Sequence, residues 1–263
     1  MKFFDYFKSS NKGNPDGFNL VLSGGGARGA IHLGVLKAFD ENNIKINAVS
    51  GTSIGAVVGS LYCAGVKPDE IKEIMKSSRF ANIFQLSLRK GLLKMTKLKK
   101  ALAELIPVND FNSLKIPFYC CVSNLDSGKY EIKNSGELSK AVLASASIPI
   151  IFAPVEIHNN HYVDGGLLNN LPVDPFKGDK NVIGIHVNKQ TYNGANNMRG
   201  VAERVFTLIS KQSVDKNRKH CQYFIEPILE KSYNVLDFGS TQELFDIGYK
   251  EGIRFVNQLK AKV

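Results

Sequence analysis

The chain has 263 residues, 43% of them hydrophobic, with 34 Lys and Arg against 24 Asp and Glu for a net charge of +10. That length and apolar content can bury a full core in one domain, and no apolar run approaches the roughly 18 residues of a membrane-spanning helix. The positive excess favours acidic partners, either an anionic lipid surface or nucleic acid, without choosing between them.

The first residues, MKFFDYFKSSNKGNP, are interrupted by Asp5 and Lys8, so no signal-peptide core forms, and residues 1–17 read as a mobile lead-in. Cys63, Cys120, Cys121 and Cys221 show no C-x-x-C spacing. Free thiols in a reducing compartment are the simpler account, which places the protein in the cytoplasm, at most peripheral to the inner membrane face. Phe18–Leu22 reads as a strand running into Ser23-Gly24-Gly25-Gly26-Ala27-Arg28-Gly29, and apolar residues at near-helical spacing follow from Ala30 to Phe39. Ile46–Ser50 repeats the pattern, as a strand leading through Gly51-Thr52-Ser53-Ile54-Gly55 into a small-residue helix. Further strands are expected at Pro117–Val122, near Tyr130–Ile132, at Val155–Ile157, at Val182–Val187 and around Gln222–Ile225. Further helices are expected at Asp69–Lys76, Lys94–Leu105, Glu137–Ala144, Val201–Val214 and Gln242–Gln258. Alternating strands and helices predict a mostly parallel sheet with helices on both faces. Residues 18–263 read as a single domain.

Three segments carry chemistry. Gly51-Thr52-Ser53-Ile54-Gly55 has the G-x-S-x-G spacing of a nucleophile elbow, which places Ser53 at a helix amino terminus where dipole and unpaired amides favour negative charge. The plainer reading is a helix cap at Ser53 or Thr52. Gly24-x-Gly26-x-x-Gly29 fits a dinucleotide fingerprint, but the next strand ends in Ser50 and the serine motif rather than an acid. The alternative is an oxyanion hole built from the glycine amides, with Arg28 adding positive charge. Third, Tyr162-Val163-Asp164-Gly165-Gly166 sets an acid before two glycines, which also suits an ordinary turn. None of His32, His158, His161, His186 and His220 stands where a triad partner would follow the acid, so a carboxylate acting directly on a hydroxyl is the base available.

Taken in order, these blocks resemble the patatin-like phospholipase family, and Ala144-Ser145-Ala146-Ser147-Ile148-Pro149 supplies a fourth matching block. The resemblance spans Phe18 to Val187. It implies a three-layer α/β/α sandwich, with 18–263 as one patatin-like catalytic domain. It also implies a Ser53–Asp164 dyad, an oxyanion hole from Gly24, Gly25, Gly26 and Arg28, and structural support from Gly51, Gly55, Gly165 and Gly166. The implied activity is hydrolysis of phospholipids or other acyl lipids, with no metal and no cofactor. Beyond Val187 no chemistry is assigned.

Leu86–Lys100, LSLRKGLLKMTKLKK, interleaves basic and apolar residues. It reads either as a helix packing its apolar side on the core or as a contact with an anionic membrane, and both hold if it is a lid over Ser53. No nucleic-acid motif accompanies the charge, and no nucleic-acid partner is expected.

Overall fold

The computed structural model describes residues 17–77, 96–189, 194 and 198–261. Their strands are β1 (Phe18–Leu22), β2 (Ile46–Thr52), β3 (Phe118–Asn124), β4 (Lys129–Lys133), β5 (Val155–Ile157), β6 (Asn160–Asp164), β7 (Val182–Ile185) and β8 (Tyr223–Ile225). They form one sheet in the order β5-β6-β3-β2-β1-β7-β8, with β4 also paired to β3. The run from β3 to β8 is parallel. Antiparallel pairing is confined to β4 and β6 on β3 and to β5 on β6; short connections return the chain directly from β3 to β4 and from β5 to β6. The helices are α1 (Ala30–Glu41), α2 (Ile54–Ala64), α3 (Pro68–Lys76), α4 (Thr96–Leu105), α5 (Leu138–Ser145), α6 (Met198–Asn217) and α7 (Thr241–Lys260).

The pleat sends alternate side chains to opposite faces, and the core divides accordingly. Leu20, Leu22, Val49 and Ile183 join a large cluster with residues of α1, α2, α3, α4, α5 and α7. Val21, Ala48 and Val182 join a smaller one with Leu171, Val173, Phe176 and Val214. The three layers are therefore unequal, and α6 is the long helix of the thin side. On the thick side α1 and α7 cross closely, because Gly34 meets the Phe245 carbonyl and Gly248 meets the Ile31 carbonyl where a Cβ would overlap.

Residues 86–95 of the basic segment lie outside the described residues. Its end begins α4, where Leu98 is buried in the core and Lys100 is exposed. Residues 1–16 of the lead-in likewise lie outside the described residues.

The pairing of β3 positions the site. Cys120–Asn124 pair with β4 along one edge. Phe118–Cys121 pair with β2, and Val122–Asn124 with β6, so β2 and β6 share the other edge end to end. They run toward each other. Thr52 ends opposite Cys121 and Asp164 ends opposite Val122, which brings the residue after β2 against the last residue of β6.

Candidate active site

Ser53 stands between β2 and α2 with φ 55° and ψ −124°, a left-handed conformation costing a side-chain-bearing residue on the order of 1–3 kcal/mol. The turn is held by close approach. A Cβ on Gly51 would overlap the Gly55 carbonyl oxygen, and one on Gly55 would overlap that of Leu22. With only hydrogens there, β2 turns into α2 and the Ser53 hydroxyl meets Asp164.

The Ser53 hydroxyl donates to Asp164 Oδ2 at 2.5 Å. Asp164 Oδ1 accepts the Gly166 amide at 2.7 Å, and the Asp164 amide donates to the Ser147 carbonyl at 2.9 Å. The carboxyl is fully buried, and burial pushes its pKa up to about 7, against the pull of the Ser53 and Gly166 hydrogen bonds. A group titrating near neutrality beside a hydroxyl is matched to proton transfer. Ser145 Oγ accepts the Ser53 amide at 2.9 Å and donates to the Cys121 carbonyl at 2.6 Å. The Ala144–Pro149 block thus holds the backbone of both residues.

The glycine loop enters a short 3-10 turn, Gly26–Gly29. The Gly24 amide donates to Asn170 Oδ1 at 3.0 Å and its carbonyl accepts from Asn188 Nδ2 at 2.7 Å, so this peptide is clamped from both sides. Gly26 has φ +59° and lies where a Cβ would overlap the Val235 carbonyl. Among the described residues, no hydrogen bond engages the Gly25 or Gly26 amide. Arg28 is buried, and its Nε donates to Asn188 Oδ1 at 2.9 Å and its guanidinium to the Tyr233 carbonyl at 2.6 Å. These bonds make Arg28 a tie between the glycine loop and the carboxyl-terminal third. Gly165 approaches Cys121 and Gly166 approaches Asn170, each where a side chain would crowd.

Three of the histidines have partners away from Ser53 and Asp164. His32 is buried with Nε2 2.8 Å from the Ser23 carbonyl, which sets the proton on Nε2, and burial lowers its pKa to about 4. His186 Nδ1 bonds Glu226 at 2.8 Å and His161 bonds Asp126. Among the described residues no histidine bonds Ser53 or Asp164, and no group of His, Cys, Asp and Glu could hold a metal ion.

Gly24, Gly25, Gly26, Arg28, Ser53 and Asp164 all open on one cavity of about 620 Å³, whose remaining wall is mostly apolar. Much of that wall is α6, which contributes Ala202, Val205, Phe206 and Ile209. The buried side of α6 carries Val214 in the smaller core cluster and otherwise polar residues that hold the loop after β6. Ser210 donates to the Gly166 carbonyl at 2.6 Å, Ser213 accepts the Asn170 amide at 2.8 Å, and Asn217 bonds Asn169 and the Leu171 carbonyl. Sequence reading missed these contributions. Ser145 lay inside a flagged block, whereas Asn170, Asn188 and the α6 serines carry no local pattern that separates them from surface polar residues.

The fold and site together define an α/β protein with a strained serine at the end of a parallel strand, bonded to a buried carboxylate beside a glycine-rich loop. The patatin-like phospholipase family model matches residues 20–177, 158 of the 263, and the chain belongs to that family. It is 27% identical over 282 residues to lysophospholipase nte1 of Aspergillus fumigatus, covering 92% of this chain and 18% of that protein. The neuropathy target esterase sws of Drosophila melanogaster is 27% identical over 285 residues, covering 91% and 19%. The chain thus spans under a fifth of the length of these curated relatives. Among solved structures, VipD from Legionella pneumophila superposes with a TM-score of 0.57 at 15% identity, over 94% of this chain and 68% of that one.

Proposed function

We propose that the chain hydrolyses acyl esters of lipids, lysophospholipids and phospholipids first among them, and that residues 18–263 act as one catalytic domain. The observation that carries this reading is the 2.5 Å bond from Ser53 to a buried Asp164 at the floor of an apolar cavity. Family membership and the names of the curated relatives support the substrate class.

Asp164 takes the Ser53 proton as Oγ attacks the acyl carbonyl, forming a tetrahedral intermediate. The Gly25 and Gly26 amides, near a helix amino terminus, supply donors for its oxyanion, and preorganised donors of this kind contribute on the order of 3–4 kcal/mol each. Collapse expels the alcohol, which takes the proton back from Asp164, and leaves an acyl-enzyme on Ser53. Asp164 then deprotonates a water that attacks the acyl carbonyl, and the fatty acid leaves as Ser53 recovers its proton. The apolar wall holds the chain, and each buried methylene contributes about 0.8 kcal/mol.

The test is hydrolysis of a dissolved short-chain ester, of lysophosphatidylcholine micelles and of phospholipid vesicles, beside Ser53→Ala and Asp164→Asn. Turnover of lipid that falls by several orders of magnitude in both folded variants is expected. Turnover surviving Ser53→Ala would remove the mechanism. Activity on the dissolved ester alone would move the substrate to a soluble ester or thioester, and silence toward every substrate would favour an effector awaiting an activator.

A further inference from the structure

α6 is built the wrong way round for a surface helix facing water. Its buried side in the carboxyl-terminal half carries Val214 in the core but also Ser210, Ser213 and Asn217, all hydrogen-bonded to the loop after β6. Its exposed large hydrophobic residues are Met198, Val201, Val205, Leu208 and Ile209. Their spacing of three, four, three and one residues keeps them within one arc of about 100° on an α-helix. Met198 is 82% exposed.

A second apolar side chain joins them from a different element. Ile150, in the stretch after α5, is 81% exposed and holds φ +73°, a left-handed conformation that a β-branched residue adopts only under constraint. Ile150, Met198, Val205 and Ile209 also line the cavity that holds Ser53. The exposed apolar strip is therefore the rim of the cavity, continuous with its wall. Arg204 and Lys211 fall to one side of this arc at the helical spacing, Lys211 in an ion pair with Asp215 one turn on, and the whole chain carries +10. Among the described residues no helix is long and apolar enough to cross a membrane.

We propose that the exposed face of α6, together with Ile150, is the surface by which the protein seats on a lipid surface, its apolar rim sinking into the acyl boundary and its cations facing anionic headgroups. An acyl chain then passes from bilayer to cavity without crossing water. A mouth rimmed by apolar side chains and flanked by positive charge fits a lipid surface better than a protein partner, because the cavity behind it opens outward through the same residues. The basic segment Leu86–Lys100 is the rival membrane contact, and the test separates the two. The proposal rests on the acyl-lipid reading of Ser53, but its test does not need turnover.

The chain contains no tryptophan, so Val201→Trp introduces a single fluorophore at a rim position outside the cavity wall. In a Ser53→Ala background, vesicles of phosphatidylcholine with 30% phosphatidylserine (roughly the anionic content of a charged leaflet) should shift its emission to the blue. In the same background Val201→Glu with Leu208→Glu should weaken vesicle cosedimentation by about tenfold or more, the loss expected when two apolar side chains are replaced by repelled charges. An unshifted tryptophan on vesicles that bind the protein overturns the proposal. So does unchanged binding by the folded double variant, or binding that instead falls with Lys90→Glu and Lys94→Glu. A second copy as the occupant would show as a dimer that the double variant dissociates while vesicle binding stays intact. If the protein with Ser53 intact cleaves neither the dissolved ester nor lipid, yet the tryptophan shifts in the Ser53→Ala background, the hydrolase reading fails and the docking surface stands.

Discussion

Replacing Asp164 by Asn should make the protein more stable as it makes it inactive, and the gain should depend on pH. The wild-type carboxyl moves from an ordinary value of 3.8 to about 7 because folding removes it from water. Between those values the folded state binds a proton that the unfolded chain has released, so stability falls as pH rises through that window. The full cost is the difference of about 3 pKa units, on the order of 4 kcal/mol above pH 7, and because Asp164 is fully buried no solvent screening reduces it. Asn keeps the shape. Its carbonyl can accept the Gly166 amide and its amide can donate to Ser53 Oγ, with no charge to desolvate. The variant should therefore exceed wild type by about 4 kcal/mol at pH 8 and by under about 2 kcal/mol at pH 5. At about 2–4 °C per kcal/mol for a chain of this size, calorimetry at pH 8 should show a Tm higher by about 8–16 °C. The difference between the two proteins cancels the titration of every other group. A variant no more stable than wild type at pH 8, or a gap that does not narrow toward pH 5, would refute a buried carboxylate held near neutrality at the floor of the site.

Three further outcomes follow from the same geometry. Because Asp164 must be ionised to accept the Ser53 proton, kcat/KM should fall on the acid side with a midpoint near 7, read from a pH profile on the dissolved ester. Ser145→Ala removes the acceptor of the Ser53 amide, so kcat should drop about tenfold with KM little changed, the effect of about 1–3 kcal/mol from an orphaned buried donor, checked by steady-state kinetics. Gly34→Ala drives a methyl into the Phe245 carbonyl at the α1–α7 crossing, and urea unfolding should show a loss of about 1–3 kcal/mol with the active-site bonds untouched.

Much of this protein is legible locally. The strand-to-helix turns at Gly24–Gly29 and Gly51–Gly55 depend on glycines where a Cβ would overlap neighbouring backbone or side chains, and such positions are visible in a linear text. The parallel strands and most helices follow from apolar spacing, with boundaries off by a few residues. Strand β6 is not among the strands the apolar spacing predicts, because its three neighbours along β3 lie far away in the chain.

The pairing of Ser53 with Asp164 across 111 residues was inferred from the order of the motifs and a family resemblance, since no local rule joins two separated residues. The structure brings them together through a single register, with β2 and β6 sharing one edge of β3 and meeting end to end. The carboxyl-terminal third shows the reverse case. The sequence assigns no chemistry to Asn188, Ser210, Ser213 or Tyr233, and α6 reads only as a helix over Val201–Val214. Only packing reveals that its polar residues hold the loop after Asp164 and its apolar ones rim the cavity. Backbone conformation and periodicity are short-range and were set by the sequence itself. Hydrogen-bond partners, the raised pKa of Asp164 and the direction in which α6 turns its apolar face depend on what lies nearby in space, and only the tertiary structure decided them.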